Sequence, residues 1–165
     1  MEPAPMESRE KSAPQAPRIV EGGRKQLAGL NERFRFDDTS VFPKLWLRFR
    51  SHLGQLPDQV DDVVYGVCHN MTEVGGDYLA CVEVKDISAV PPAFVQLRLE
   101  PRRYAVFTHV GPVSEVSHTY MSIFDEWLPG AGYQFAHAPL FERFDTRFDP
   151  ETGLGGFEIW VPIES

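Results

Sequence analysis

The spacing of apolar and polar residues changes several times along the chain, and each change marks a predicted element. Residues 25–36 alternate loosely and end in Arg33-Phe34-Arg35-Phe36, a period of two that predicts a strand. Asp37 to Ser40 are capping residue types and Pro43 suits a first helical turn. Leu45, Trp46, Phe49 and Leu53 follow at helical spacing, and Gly54 and Pro57 stop that helix. Val63 to Cys68 is a short buried-strand run, Gly75-Gly76 turns the chain, and Asp77 to Val84 is the return strand. After Pro91-Pro92, Phe94 to Leu99 and Arg103 to Thr108 again read as strands. Gly111-Pro112 opens a second helix with the stripe Val116, Tyr120, Ile123 and Trp127, widened by Met121, Phe124 and Leu128 and ended by Pro129-Gly130. Leu140 to Phe148 and Phe157 to Ile163 close the chain as strands around a turn-rich loop at 149–156.

The second half repeats the order of the first. Gly75-Gly76-Asp77-Tyr78 aligns with Gly155-Gly156-Phe157-Glu158. The pattern predicts an α+β domain of duplicated βαββ units related by a pseudo-two-fold axis. Helices cover one sheet face, and the other is left to line a central ligand cleft.

Charge and composition narrow the function. The formal net charge of −8 argues against direct nucleic-acid contact, which depends on clustered Lys and Arg. Residues 1–17 hold four prolines, mixed charge and almost no large apolar side chain, so they read as a disordered tail ahead of a domain at 18–165. No apolar run nears the roughly 20 residues of a membrane helix, and the N-terminus lacks the apolar stretch of a signal peptide, so a cytoplasmic location is expected. Cys68 and Cys81 then read as reduced and buried thiols. There is no GxSxG elbow, Walker loop or HExxH, and the five His show no ligand spacing. Neither a metal nor a cofactor is expected.

Seven blocks in order carry a family resemblance: PKLWLRF (43–49), YGVC (65–68), DYLACVEV (77–84), RRYAVFTHVGP (102–112), TYMSIFDEWLPGAGY (119–133), FERFDTRFDP (141–150) and FEIWVPI (157–163). Together they resemble the GyrI-like effector-binding domain, also the ligand-binding half of multidrug-responsive regulators of the AraC and MerR types. The chain looks like a stand-alone version, with no segment left for a helix-turn-helix. The resemblance implies a cleft for lipophilic, often cationic compounds, with aromatic walls and one or two buried glutamates. It also implies two alternatives: hydrolysis of cyclopropane rings in DNA-alkylating compounds, and interaction with a protein such as gyrase or a transcription regulator. Cys81 departs from the glycine expected in its block, and its side chain narrows the cleft if it faces it. Oligomeric state is not legible.

Alternation in the last strand puts Phe157, Ile159 and Val161 on one face and Glu158, Trp160 and Pro162 on the other. If the apolar three lie under the helices, Glu158 and Trp160 point into the cleft; the plainer reading is a solvated Glu on an open face. By repeat symmetry Tyr78 matches Glu158 and faces the same cleft, or is ordinary core. Glu142 shares a face with Phe144, and the resemblance implies that it is the second pocket carboxylate; otherwise it pairs with Arg143 or Arg147 at the surface. Trp46, Tyr120 and Trp127 lie on helices, as core or at the border of the cleft. Two carboxylates among aromatic rings suit a delocalised cation, through charge and cation–π attraction. In an enzyme, Glu142 and Glu158 would be the catalytic pair, one activating the electrophile and the other steering water.

Overall fold

The computed structural model describes residues 16–165. The predicted tail at 1–17 therefore lies almost wholly outside the described residues. Among the described residues nine strands form: β1 (Arg18–Gly22), β2 (Lys25–Arg35), β3 (Gln59–His69), β4 (Gly75–Val84), β5 (Val95–Leu99), β6 (Arg102–His109), β7 (Gln134–Phe135), β8 (Leu140–Phe144) and β9 (Phe157–Glu164). Helix α1 (Val41–Arg50) joins β2 to β3. Between β6 and β7 the chain runs through α2 (Val116–Met121), a π-helical turn (Ser122–Trp127) and α3 (Leu128–Gly130). Among the described residues no helix is long and apolar enough to cross a membrane.

Every strand pairing is antiparallel, in the order β1-β6-β9-β8-β3-β4-β2-β5, with β7 against the end of β9. Read outward from the central β3–β8 pair, each half runs the same way: β3-β4-β2 on one side and β8-β9-β6 on the other. This is the expected α+β duplication. What the sequence pattern did not reveal is an exchange at the edges. β1 precedes β2 by two residues in the chain but pairs with β6, in the other half. β5 precedes β6 equally closely but pairs with β2. Both connections are short, so the two ends of the sheet must lie near each other, and the sheet curls into a half-barrel.

The curl creates two unequal faces. On the concave face Val20 and Tyr104, from one end of the order, pack in one cluster with Leu27, Leu97 and Leu99 from the other. Tyr65, Phe141 and Trp160 fill the middle, with Phe141 and Trp160 rings stacked at 5.1 Å. The convex face carries the helices. α1 lays Leu45 and Phe49, four residues apart, onto Ala28, Ala80 and Val82. Arg48 and Arg50 in its last turn suit the negative end of the helix dipole. The chain then turns through Gly54 at φ +82°, a left-handed conformation that glycine adopts without strain.

The second helix buries Ile123 and packs Val116, Tyr120, Phe124, Trp127 and Leu128 against β6 and β9. Met121, expected to widen that stripe, is instead 59% exposed. It precedes the π turn, whose extra residue per turn rotates later positions relative to an ideal helix. The predicted strand at 140–148 ends at Phe144, because Asp145 folds back to bind the backbone and side chain of Arg147.

Phe141 is 1% exposed and touches rings on three sides. Phe141→Ala is expected to cost about 3–5 kcal/mol, seen as a lower urea midpoint with an unchanged slope.

Candidate functional site

The two halves meet along β3 and β8, where Val64 faces Phe144, Gly66 faces Glu142 and Cys68 faces Leu140. Side chains on this seam point to the helix-covered face, as strand alternation requires. Glu142 is the acidic residue among them, 9% exposed. Its Oε1 accepts a hydrogen bond from the Tyr78 hydroxyl at 2.8 Å, and its Oε2 accepts one from the Tyr120 hydroxyl at 2.6 Å. Tyr78 comes from β4 under α1 and Tyr120 from α2, so one carboxylate ties a residue of each half. Among the described residues no cation is paired with Glu142.

Three aromatic residues enclose this cluster. Trp46 lies edge-on to Tyr78 and Phe144, at 6.2 and 5.6 Å, and joins the cores under both helices. Phe42 meets Tyr78 at 4.8 Å. Gly66 makes room underneath: a Cβ there would overlap the Tyr78 hydroxyl and ring and come within 3.1 Å of Glu142 Oε1. Glycine is therefore required by the close approach of the phenol, not by backbone torsion.

The electrostatics follow from burial. Loss of water pushes the Glu142 carboxyl above its ordinary value, and the Tyr120 and Tyr78 hydrogen bonds oppose that rise. Burial, then the nearby Glu142 charge, push both phenols well above theirs, so they remain protonated donors. Burial and Glu142 act in the same direction on the adjacent Cys68 thiol. The result is an unpaired carboxylate, held by two neutral donors under aromatic rings. It can take a cationic partner or a proton.

Glu158 has a different setting. It is on the concave face, opposite to Glu142. Arg18 approaches it at 3.3 Å, Arg143 at 3.7 Å, and the Trp160 indole N–H donates to it at 3.0 Å. Two arginines already neutralise it. The apolar residues Phe157, Ile159 and Val161 do lie under the helices.

The family model for the GyrI-like small molecule binding domain matches residues 15–164. The chain belongs to this family. Its sequence is 28% identical over 151 residues to the transcriptional regulator BrlR of Pseudomonas aeruginosa, covering 88% of this chain and 54% of that one. It is 45% identical over 62 residues to the probable transcriptional regulator YgiV of Escherichia coli, covering 37% and 39%. The GyrI-like chain thus spans about half the length of these relatives, or less. Among solved structures, SAV2435 bound to tetraphenylphosphonium matches with a TM-score of 0.72 at 16% identity, over 92% of this chain and 95% of that one. The EcmrR C-terminal domain matches with a TM-score of 0.70 at 18% identity, over 92% and 98%. At these identities the structures show a shared fold.

Against this GyrI-like frame the expected site residues divide. Glu142, Tyr78, Tyr120, Trp46 and Phe144 come together. Glu158 and Trp160 do not join them: the Glu142 cluster lies on the helix-covered face, and they lie on the other. Trp127 is also apart, packed on Phe107 and Tyr133. The alignment of Tyr78 with Glu158 was one residue out of register. Tyr78 shares its face with Ala80 and Val82, as Phe157 does with Ile159 and Val161, so Tyr78 corresponds to Phe157. A slip of one residue moves every side chain of a strand to the opposite face. Cys81 lies in the concave core and leaves the site unnarrowed. Cys68 and Cys81, both free thiols, stand on opposite faces. Glu142 and Glu158, the pair expected to act together in an enzyme, stand on opposite faces of the sheet.

Gly66 was missed. A glycine inside an apolar strand run is a signal of close approach that could have found it. Gly66→Ala is expected to displace the Tyr78 hydroxyl and cost about 1–3 kcal/mol, measured by chemical denaturation, with Tyr78→Phe relieving part of the loss. The raised Glu142 value also fixes a sign. The stability it contributes is present below the ordinary carboxylate range and lost as pH rises through the folded value. Glu142→Gln should therefore be more stable than wild type near neutral pH, with the difference shrinking on acidification.

Proposed function

We propose that the chain binds lipophilic cations at Glu142, between α1 and α2. The observation that carries this reading is the buried carboxylate, bonded to two phenols and lacking a cation among the described residues. An ionised group in such surroundings is costly unless paired, and a delocalised cation relieves that cost without demanding hydrogen bonds of its own. Aromatic rings add about 0.5–2 kcal/mol of cation–π attraction each. The tetraphenylphosphonium complex of SAV2435, which shares the fold, is consistent with the reading. The rings of Trp46, Tyr78 and Phe144 are packed together, so entry of a ligand requires Trp46 or Tyr120 to turn aside.

Titration calorimetry with tetraphenylphosphonium and a neutral isostere tests this. Tetraphenylphosphonium should bind and the isostere should not. Affinity should rise with pH through the range in which buried Glu142 ionises, with protons released where Glu142 is still protonated. Glu142→Gln should weaken binding by about tenfold or more, the share of one charge-stabilised contact. Equal binding by the isostere, or by the Gln variant, rejects the assignment.

A further inference from the structure

Below the α1 end of the seam, β3 leaves its ladder with β4. Gln59 pairs with Val84, and the next pair is Val64 with Val82, so five steps along β3 oppose two along β4. The intervening residues bulge outward, a device found beside binding sites. They border a surface cavity of about 590 Å³ whose lining does not include Glu142. Leu56, Val60 and Val64 supply its apolar lining, and Gln59, Asp61 and Asp62 its polar one.

Two features of this cavity stand unexplained by the fold. Gln59 Nε2 donates to the Asp61 carbonyl at 2.7 Å, but Gln59 Oε1 is shielded from solvent and has no hydrogen-bond partner among the described residues. An acceptor left in that state costs about 1–3 kcal/mol. Asp61 and Asp62 also have no ion pair among the described residues; Asp61 Oδ1 accepts only the Val63 backbone N–H, at 3.0 Å. An orphaned acceptor, two uncompensated carboxylates and an apolar wall together call for one kind of partner.

We propose that this cavity is a second binding site, for a primary or secondary ammonium group carried on an apolar body. The ammonium N–H groups donate to Gln59 Oε1 and to the carboxylates, and the body packs on Leu56, Val60 and Val64. Oε1 is shielded from solvent, so its contact with the ammonium requires the bulged segment to move outward. The chemistry differs from that of Glu142, whose oxygens already hold two donors and which needs charge but no N–H. The inference does not rest on the reading of Glu142.

The probe is hexylammonium, compared with hexyltrimethylammonium, which has charge but no N–H, and with 1-hexanol, which has no charge. Amide chemical shifts of residues 59–64 and of the Gln59 side chain are followed by NMR in wild type, in Glu142→Gln and in Asp61→Asn with Asp62→Asn. The Asn pair keeps the Oδ1 that binds Val63, so the fold is retained. Saturable shifts at 59–64 with hexylammonium are expected, unchanged in Glu142→Gln and weakened about tenfold in the Asn pair, the loss of a charge-assisted contact. The quaternary ion should bind several-fold more weakly, and Gln59→Leu should remove that preference. Shifts confined to the surroundings of Glu142, equal binding of 1-hexanol, or no saturable shift at 59–64 each overturn the proposal; the last would leave the acceptor to water alone.

Discussion

A carboxylate out of water governs the centre of this molecule. Glu142 loses its hydration where the two halves of the sheet join, and what surrounds it compensates for that loss only in part. Two phenols hold its oxygens but bring no charge. Their neutrality matters: an arginine in place of either would pair the charge that the phenols leave uncompensated. Gly66, Trp46 and Phe144 follow from the same constraint, one making space for a phenol and the others keeping water away.

The curled sheet makes this arrangement tolerable. Because β1 and β5 each join the opposite half, the halves cannot separate without breaking both edges. The central β3–β8 pair is thereby held between two mutually locked units, and the helices stand on either side of it. Tyr78 is held in the core under α1 and Tyr120 packs against the core under α2, so both donors sit on packed elements. Functional groups placed on rigid elements in this way hold their geometry more closely than groups on loops.

The two glutamates singled out by their strands show how neighbourhood decides role. Glu158 is only slightly exposed, yet Arg18 and Arg143 flank it and Trp160 donates to it. It closes the concave rim as part of an ion-pair network. Arg18 reaches it from β1, the exchanged strand, so the same exchange that locks the sheet also neutralises this carboxylate. Glu142 has no such neighbour among the described residues, and its charge stays available.

The order of elements, the duplication and the α+β class were legible in the sequence because they depend on local period: alternation in β2 and β9, helical spacing in α1 and α2, glycine and proline between them. Glu142 and Phe144 on one face, and Phe141 and Arg143 on the other, were legible for the same reason. The face that carries the Glu142 cluster was not. Alternation sorts side chains into two sets but does not say which set lies beneath the helices beside a partner, and one residue of misalignment between the repeats carried Tyr78 to the wrong side. The β1–β6 pairing was hidden because nothing in residues 18–22 records a partner eighty or more residues away. Which carboxylate finds an arginine and which finds only phenols is a matter of long-range neighbours, and the curled sheet decided it.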